Sequence, residues 1–192
     1  MIGVLAVQGG FQAHLKTIQK LGVAAREVRL AEDLDACSAL ILPGGESTTM
    51  LKLLKAFNLM DPLRQFCLNG DNQVLATCAG AILLAQKVVH PEQESLGVLP
   101  VTIERNAYGC QRESFEAPIS VPAWQLVDQP VYFIRAPKFL ALGPGVEVIS
   151  SYEGDITGVS YRNLTAVTYH PELAEDPGFH QAWLQHNTQK VG

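Results

Sequence analysis

The strongest constraint on the fold is the alternation of apolar runs and helical patterns along the first half of the chain. Short apolar runs predict strands over residues 2–8, 23–30, 39–42 and 74–77. Apolar residues at helical spacing predict helices over residues 11–21, 47–57, 61–68 and 79–88. A strand, a crossover helix and a parallel strand form the repeating unit of α/β proteins. This half therefore predicts a parallel sheet covered by helices.

The second half has a different pattern. Short β-like runs broken by turns occupy residues 98–169, with the clearest at residues 131–135, 146–151, 158–161 and 164–169. They predict antiparallel strands added near one edge of the parallel sheet, and residues 179–186 predict a closing helix. No repeat, low-complexity tract or linker divides the sequence, so we expect a single domain over residues 1–192.

Charge and cysteine content exclude several function classes. The net charge of −5 argues against a general nucleic-acid binder, because phosphate binding needs a basic face. No apolar run approaches the roughly 20 residues that span a membrane, and the start lacks a basic region and a cleavage site. Cys37, Cys67, Cys78 and Cys110 form no C-x-x-C pair and no zinc-finger spacing. We expect a cytoplasmic protein with reduced thiols and no bound metal.

Cys78 stands where an apolar strand meets an apolar helix with almost nothing between them. Such a junction is typical of a nucleophile elbow, a sharp turn that exposes a reactive side chain. Ala76 and Gly80 are small at the two positions where a large side chain would clash. The helix N-terminus would favour the thiolate, and the Ala79 N–H would face a developing oxyanion. The alternative is a buried core cysteine, the role that we predict for Cys37 and Cys67.

His170 follows an apolar run and precedes Pro171 and Glu172. Because proline disfavours a helical residue before it, we expect an extended segment in which His170 and Glu172 point the same way. Glu172 would then fix the tautomer of His170, as in a Cys–His–acid triad. The alternative is a histidine at a strand end beside a solvated glutamate. The remaining histidines are predicted on helical surfaces (His14, His180, His186) or at the start of a loop (His90).

A glycine-rich loop over residues 43–49 links a strand to a helix. Gly44 and Gly45 permit close approach to the main chain, so the loop could supply a second N–H to an oxyanion. It lacks the lysine and the spacing of a P-loop, so we expect no nucleotide binding. The alternative is a tight turn in which Ser47 or Thr48 caps the helix.

Together these segments resemble the class I glutamine amidotransferase family, and within it the glutaminase subunits of pyridoxal 5′-phosphate synthases. The likeness covers nearly the whole chain. It rests on residues 43–50 and on Leu5-Ala6-Val7-Gln8-Gly9, Thr77-Cys78-Ala79-Gly80, Glu104-Arg105-Asn106, Ser114-Phe115-Glu116-Ala117, Phe133-Ile134-Arg135-Ala136-Pro137 and His170-Pro171-Glu172-Leu173. The resemblance implies a three-layer α/β fold with a flavodoxin-like, mostly parallel central sheet and added antiparallel strands.

The resemblance also implies a reaction, the hydrolysis of L-glutamine to glutamate and ammonia without a cofactor. Cys78 would attack the side-chain amide, His170 would protonate the leaving ammonia and then activate water, and Glu172 would orient His170. The N–H groups of Ala79 and of the loop at Gly44 and Gly45 would hold the oxyanion. The glutamine contacts of the family carry over to six residues: Gly45, Glu46, Ser47, Arg105, Ile134 and Arg135.

A partner is implied as well. In the family, a separate (β/α)8-barrel synthase subunit uses the ammonia with ribose 5-phosphate and glyceraldehyde 3-phosphate to make pyridoxal phosphate. Twelve glutaminase subunits surround a dodecameric synthase ring, and docking completes the oxyanion loop. Gln8 lies where the family couples the two subunits.

Two features depart from the usual pattern of the family. Ala76 replaces a common glycine, and residues 120–130, which include Pro122 and Trp124, differ from the usual loop.

Other hypotheses compete with this one. A PfpI-type chaperone or glyoxalase-like enzyme would share the sheet and the elbow cysteine, but would not explain His170-Pro171-Glu172 or the two arginine segments. A catalytically silent regulatory relative is disfavoured by the intact Cys78, His170 and Glu172. Glutaminases of purine, tryptophan or histidine synthesis share the triad, but the flanks of their elbow and their oxyanion loops differ from those of this sequence.

Overall fold

The structure is a computed structural model that describes residues 1–105, 107 and 114–190, with side chains described through residue 186. Asn106 of the Glu104-Arg105-Asn106 segment and the fourth cysteine, Cys110, lie outside the described residues. Within the described chain, seven strands form one central sheet in the order β2-β1-β3-β4-β12-β11-β10. Their bounds are β1 (Ile2–Leu5), β2 (Ala25–Val28), β3 (Ala39–Leu42), β4 (Gln73–Thr77), β10 (Glu147–Tyr152), β11 (Asp155–Tyr161) and β12 (Leu164–Val167).

The direction of the strands confirms a mostly parallel sheet. The ladders from β2 through β1, β3 and β4 to β12 are parallel, whereas β11 is antiparallel to both β12 and β10. This is the flavodoxin-like order, with β12 as the fifth parallel strand. In such a sheet, ligands bind beyond the carboxyl ends of the strands.

The helices cover both faces of the sheet: α1 (Phe11–Lys20), α2 (Ser47–Ala56), α3 (Met60–Leu68), α4 (Ala79–Leu84) and α5 (Gly178–Lys190). Successive residues of β3 alternate between two buried apolar clusters, because strand side chains point to opposite faces. Leu40 and Leu42 join the cluster that contains residues of α2, α3 and α4. Ile41 joins the other cluster, with Ile18 of α1 and Trp183 of α5. The three-layer architecture is therefore confirmed.

Two smaller sheets flank the central one. One contains β5 (Ala85–Val89), β6 (Leu99–Glu104) and β9 (Lys138–Leu142), and the other pairs β7 (Ser114–Val121) with β8 (Leu126–Ile134). The antiparallel strands predicted near one edge over residues 98–169 are found as β10 and β11 in the central sheet, whereas the antiparallel pairs β6–β9 and β7–β8 lie in separate sheets. The prediction is wrong for the run at residues 164–169, because β12 runs parallel to β4. The unusual stretch at residues 120–130 contains the end of β7, the 3-10 turn Pro122–Trp124 and the first half of β8. There Trp124 packs 5.3 Å from the ring of Phe179 on α5.

The predicted helix over residues 79–88 is wrong beyond Leu84. Strand β5 begins at Ala85 and pairs in parallel with β6. Gln86 and Lys87 are exposed there while Val88 is buried, and a continued buried helix would have to bury both polar side chains. The β-branched pair Val88-Val89 also favours a strand.

Candidate active site

Cys78 occupies a sharp turn between β4 and α4. Its backbone has φ +46° and ψ −104°, a conformation that is uncommon for a residue with a side chain and that marks backbone strain. The turn is fixed on one side by the Cys78 N–H, which donates to the carbonyl of Val167 on β12 at 2.8 Å. The thiol points toward the carbonyl of Ile134, 3.9 Å away. The predicted strand–turn–helix elbow is therefore confirmed.

The small residues around Cys78 have clear packing reasons. A Cβ on Gly80 would collide with the main-chain oxygen of Leu42 on β3. Ala76 is fully buried and lies opposite Leu42 in the β3–β4 ladder, where its methyl group joins the core. The side chain that replaces the family's usual glycine is thus accommodated by the sheet.

His170 and Glu172 meet as the sequence predicts, but through a different backbone conformation. His170 Nδ1 lies 2.8 Å from Glu172 Oε1, and the two side chains are 12% and 1% exposed. An antiparallel bridge to Tyr132 on β8 holds His170 in place. The extended segment predicted beyond His170 is wrong, because Pro171–Leu173 forms a 3-10 turn. Proline restrains the residue before it and itself fits the first position of a helical turn.

Several ionisable side chains are buried together around His170. Burial would lower the pKa of His170, but hydrogen bonds with Cys78 and Glu172 raise it to about 10. Burial would raise the pKa of Glu172, but His14 and His170 lower it to about 2. At neutral pH, His170 is therefore a cation held between an anionic carboxylate and the Cys78 sulfur. Burial raises the pKa of the Cys37 thiol, and raises that of Cys67 to about 12.

Gly44 lies directly against the reactive side chains. A Cβ there would collide with the His170 ring and lie 3.2 Å from Cys78 Cβ. The Gly44 N–H donates to Thr77 Oγ1 at 3.0 Å, and its carbonyl accepts the Gly10 N–H at 2.9 Å. Of the three expected oxyanion donors, Gly44 is thus already engaged. The N–H of Gly45 points away from the Gly44 carbonyl, since the peptide bond is trans.

Gln8 contacts the same loop from the far side. Its Oε1 accepts the Glu46 N–H at 3.0 Å, and a Cβ on Gly45 would collide with it. A conformational change at Gln8 would therefore reach the loop directly. Its predicted role in coupling the subunits stays a prediction.

Glu46 caps helix α2, so the alternative of a Ser47 or Thr48 cap is wrong. Its carboxylate accepts the N–H groups of Thr48 and Thr49 and the hydroxyl of Thr49. Burial would raise the pKa of Glu46, but these hydrogen bonds lower it to about 2. Arg105 donates to Thr48 Oγ1 at 3.0 Å and lies 3.4 Å from Glu46 Oε1. These predicted substrate contacts thus lie together around the start of α2.

The other predicted contacts lie nearby. The Ser47 hydroxyl donates to Gln93 Oε1 at 3.0 Å. Ile134 ends β8 with its carbonyl facing Cys78, and Arg135 follows with φ +44° and an exposed side chain. The predicted residues follow four strands at one edge of the sheet, where parallel strands end: Gln8 after β1, Gly44 after β3, Cys78 after β4 and His170 after β12.

Some site residues are missed or misplaced by the sequence patterns. His14 and His180 are predicted on helical surfaces, but both are fully buried behind Glu172, with His14 Nε2 at 3.4 Å from Glu172 Oε2. His186 is half-buried beside Trp124. A signal exists for His14: it lies three residues after Phe11 and four before Ile18, on the apolar face of α1. Thr77 and Gln93, which hold Gly44 and Ser47, carry no such signal.

The described residues contain no helix with the length and apolar character to cross a membrane. Across the same part of the chain, no group of three or more His, Cys, Asp or Glu side chains is arranged to hold a metal ion.

Relatives of the chain carry consistent names. A Thermotoga neapolitana protein named pyridoxal 5′-phosphate synthase subunit PdxT is 47% identical over 184 residues, which cover 96% of this chain and 97% of that protein. The protein of the same name from Thermus thermophilus is 45% identical over 187 residues, which cover 96% of each.

Solved structures of glutamine amidotransferases resemble this chain in fold. A crystal structure described as a glutamine amidotransferase superposes with a TM-score of 0.91 at 44% identity, covering 97% of this chain and 98% of that one. The PurLQS structure from Thermotoga maritima has a TM-score of 0.73 at 16% identity, over 100% and 98% of the two chains, and shows the shared fold alone. The family model described as the SNO glutamine amidotransferase family matches residues 4–189. The chain therefore belongs to the SNO glutamine amidotransferase family.

Proposed function

We propose that this chain is the glutaminase subunit of a pyridoxal 5′-phosphate synthase, and that it hydrolyses L-glutamine through a Cys78–His170–Glu172 triad. The observation that carries the proposal is that these three side chains lie in contact, in the order Cys78, His170, Glu172. A strained elbow presents Cys78 to His170, whose other ring nitrogen is hydrogen-bonded to the buried Glu172. Nucleophile, base and orienting acid are the parts that covalent amide hydrolysis needs.

The first half of the reaction forms a thioester. The Cys78 thiolate attacks the side-chain carbonyl carbon of L-glutamine, and the carbonyl oxygen becomes an oxyanion. N–H groups of Ala79 and Gly45 are the proposed donors to that oxyanion. His170 gives its proton to the amide nitrogen as the carbon–nitrogen bond breaks, so ammonia leaves and a glutamyl thioester remains on Cys78.

The second half releases glutamate. Neutral His170 takes a proton from water, the resulting hydroxide attacks the thioester carbonyl, and the carbon–sulfur bond breaks. Cys78 leaves as the thiolate and His170 retains the proton, which restores the starting pair. Glu172 keeps the His170 ring in one orientation through both halves, because its bond to Nδ1 leaves Nε2 to exchange protons.

Charged groups beside the triad suit the two ends of glutamine. A carboxylate such as Glu46, kept anionic by the bonds that lower its pKa, suits the substrate ammonium. Arg105 and Arg135 suit the substrate carboxylate, since a guanidinium binds a carboxylate through two parallel hydrogen bonds. Ser47, Gly45 and the main chain of Ile134 complete the proposed contacts.

The proposed partner is a (β/α)8-barrel synthase subunit that receives the ammonia, in a complex of twelve copies of each subunit. The names of the relatives support a synthase partner, since they describe subunits of pyridoxal 5′-phosphate synthase. Gln8, which contacts the loop at Gly45 and Glu46, is the proposed route by which docking acts on the oxyanion donors. We further propose that residues 1–192 form a single glutaminase domain.

The test is glutamate release from L-glutamine by the purified chain, alone and with increasing amounts of the synthase subunit. The proposal predicts a rate that rises with added synthase and saturates when the two are equimolar. Gln8→Ala should lower the stimulation more than the basal rate. No glutamate in either condition would contradict the glutaminase assignment, and equal rates in both would contradict activation by docking.

A further inference from the structure

Two buried histidines lie behind the acid of the triad. His14 on α1 and His180 on α5 are both fully buried, and they come from opposite ends of the chain. His180 Nε2 lies 2.9 Å from His14 Nδ1, and His14 Nε2 lies 3.4 Å from Glu172 Oε2. A continuous line of side chains thus runs from His180 through His14 and Glu172 to His170.

Donor and acceptor accounting assigns the protons along this line. One hydrogen must lie between His180 Nε2 and His14 Nδ1, because two lone pairs or two N–H groups at 2.9 Å would repel. The remaining nitrogen of His180, Nδ1, is buried and has no hydrogen-bond partner among the described residues. A buried N–H without a partner costs more than a buried lone pair. The hydrogen therefore belongs to His180 Nε2, and His14 Nδ1 accepts it.

This choice determines what His14 presents to Glu172. With Nδ1 as acceptor, a neutral His14 carries its hydrogen on Nε2. That N–H is hydrogen-bonded to Thr77 Oγ1 at 3.2 Å and lies 3.4 Å from Glu172 Oε2, which is buried and has no hydrogen-bond partner among the described residues. The opposite tautomer would place a lone pair of His14 against the carboxylate.

Both histidines are neutral at physiological pH, so the tautomer is the state that matters. Burial lowers the pKa of His14, although Glu172 partly opposes this and His170 adds to it. Burial and the neighbouring His14 lower the pKa of His180 to about 3. A neutral imidazole offers one donor and one acceptor, and the partner of one nitrogen fixes the role of the other.

We propose that His14 and His180 are positioning residues of the glutaminase reaction. In this arrangement, His180 fixes the tautomer of His14, and the His14 N–H holds the second oxygen of Glu172 while the first oxygen orients His170. The inference rests on the proposed function, because it assumes that proton transfer by His170 limits the reaction. Partners that fix a histidine or carboxylate indirectly change rates without touching the substrate.

The tautomer is tested directly in the full-length wild-type protein. Nitrogen-15 NMR of the histidine side chains should show His14 protonated at Nε2 and unprotonated at Nδ1 between pH 7 and pH 8, and the same for His180. Protonation of His14 at Nδ1, or at both nitrogens, would overturn the proposal. This readout does not depend on glutaminase activity.

Two substitutions separate positioning from packing. In His14→Gln, the amide nitrogen reaches the place of Nε2 and can still donate to Glu172, whereas in His14→Asn the amide reaches only the place of Nδ1. We expect His14→Asn to lower kcat on the order of tenfold or more with KM within about twofold, and His14→Gln to recover most of kcat. Both variants are compared at equal folded fraction, measured by circular dichroism.

The outcomes remain distinguishable. Equal kcat in the wild type and in folded His14→Asn would overturn the inference while leaving the glutaminase function standing. Equal loss in both variants would also overturn it, because packing would then explain the effect. If His14→Asn does not fold, the NMR measurement on the wild type still decides. A wild type without glutaminase activity, but with the expected tautomers, would overturn the proposed function instead.

Discussion

Thr77 and Gly44 are joined by a hydrogen bond of 3.0 Å, in which the main-chain N–H of the glycine donates to the threonine hydroxyl. The residue before the nucleophile thus holds the loop that lies over the nucleophile. Both residues are buried, and the same hydroxyl lies 3.2 Å from His14. One hydroxyl therefore contacts both the loop at Gly44 and His14, the histidine that lies behind Glu172.

Thr77→Val should show this dependence, because it keeps the shape of the side chain and removes the acceptor. A buried N–H of Gly44 would then lack its partner, which costs about 1–3 kcal/mol of unfolding free energy. We expect that loss in urea unfolding together with a lower kcat. Thr77→Ser keeps the hydroxyl and should retain both properties more closely. A Thr77→Val protein with wild-type kcat would show that the bond does not support the loop.

Gly80→Ala should destabilise the protein although alanine is the better helix former. The propensity gain is at most about 1 kcal/mol, whereas a methyl group forced against the Leu42 carbonyl costs about 1–3 kcal/mol or more. We expect a net loss in chemical unfolding. Gly70→Ala is the matched control, since a Cβ there has no atom within 4 Å, and its unfolding free energy should stay within about 0.5 kcal/mol. Equal stability of the two variants would refute this packing account of the elbow.

Glu172→Gln should reduce stability in a pH-dependent way. Because the folded pKa of Glu172 is lowered to about 2 from 4.5, its charge stabilises the fold fully above pH 4.5, and the benefit is lost as the pH falls through 2. At pH 6 the wild type should be more stable by roughly 3 kcal/mol, and the gap should fall to about half or less at pH 3. Urea unfolding at both values measures it.

The control for that experiment is Glu94→Gln. Glu94 forms an exposed ion pair with Lys55 and should change the unfolding free energy by less than about 1 kcal/mol at either pH. A gap between wild type and Glu172→Gln that stays constant from pH 6 to pH 3 would mean that the charge of Glu172 does not stabilise the fold.

Arg105→Ala should act mainly on substrate binding. The guanidinium lies beside Glu46 and Thr48 at the start of α2, so its loss removes a proposed partner of the glutamine carboxylate. We expect KM for L-glutamine to rise about tenfold or more, with a smaller fall in kcat. Arg64→Ala, at a side chain bound to Asp61 and to the Leu96 carbonyl, serves as the control with unchanged KM. An unchanged KM in Arg105→Ala would remove that residue from the substrate site.

The parts of the fold that local patterns determine could be predicted from the sequence. Strand β3 and the elbow at Cys78 follow from short apolar runs and small flanking residues. The end of α4 could not be predicted, because residues 79–88 are apolar enough for a buried helix, and only pairing with β6 makes residues 85–89 a strand. Separate sheets for β5, β6, β9 and for β7, β8 likewise depend on long-range pairing that periodicity does not encode.

Contacts of the site could be predicted where both residues lie in one short segment of the sequence. His170 and Glu172 are two residues apart, so their contact is local, although the 3-10 turn that produces it was not expected. His14 and His180 are 166 residues apart in sequence and meet only after α1 and α5 pack on the same face of the sheet. A histidine on an apolar helical stripe gives a hint of burial, but its partner belongs to the tertiary structure.

The most direct test of the central claim is the covalent state of Cys78 during turnover. The chain, with the synthase subunit present, is mixed with L-glutamine, quenched with acid and digested for mass spectrometry. The account predicts a glutamyl adduct on the peptide that contains Cys78, formed as fast as glutamate appears, with no adduct and no glutamate in Cys78→Ala. Glutamate release by Cys78→Ala at the wild-type rate, or a wild-type adduct on a different residue, would contradict it.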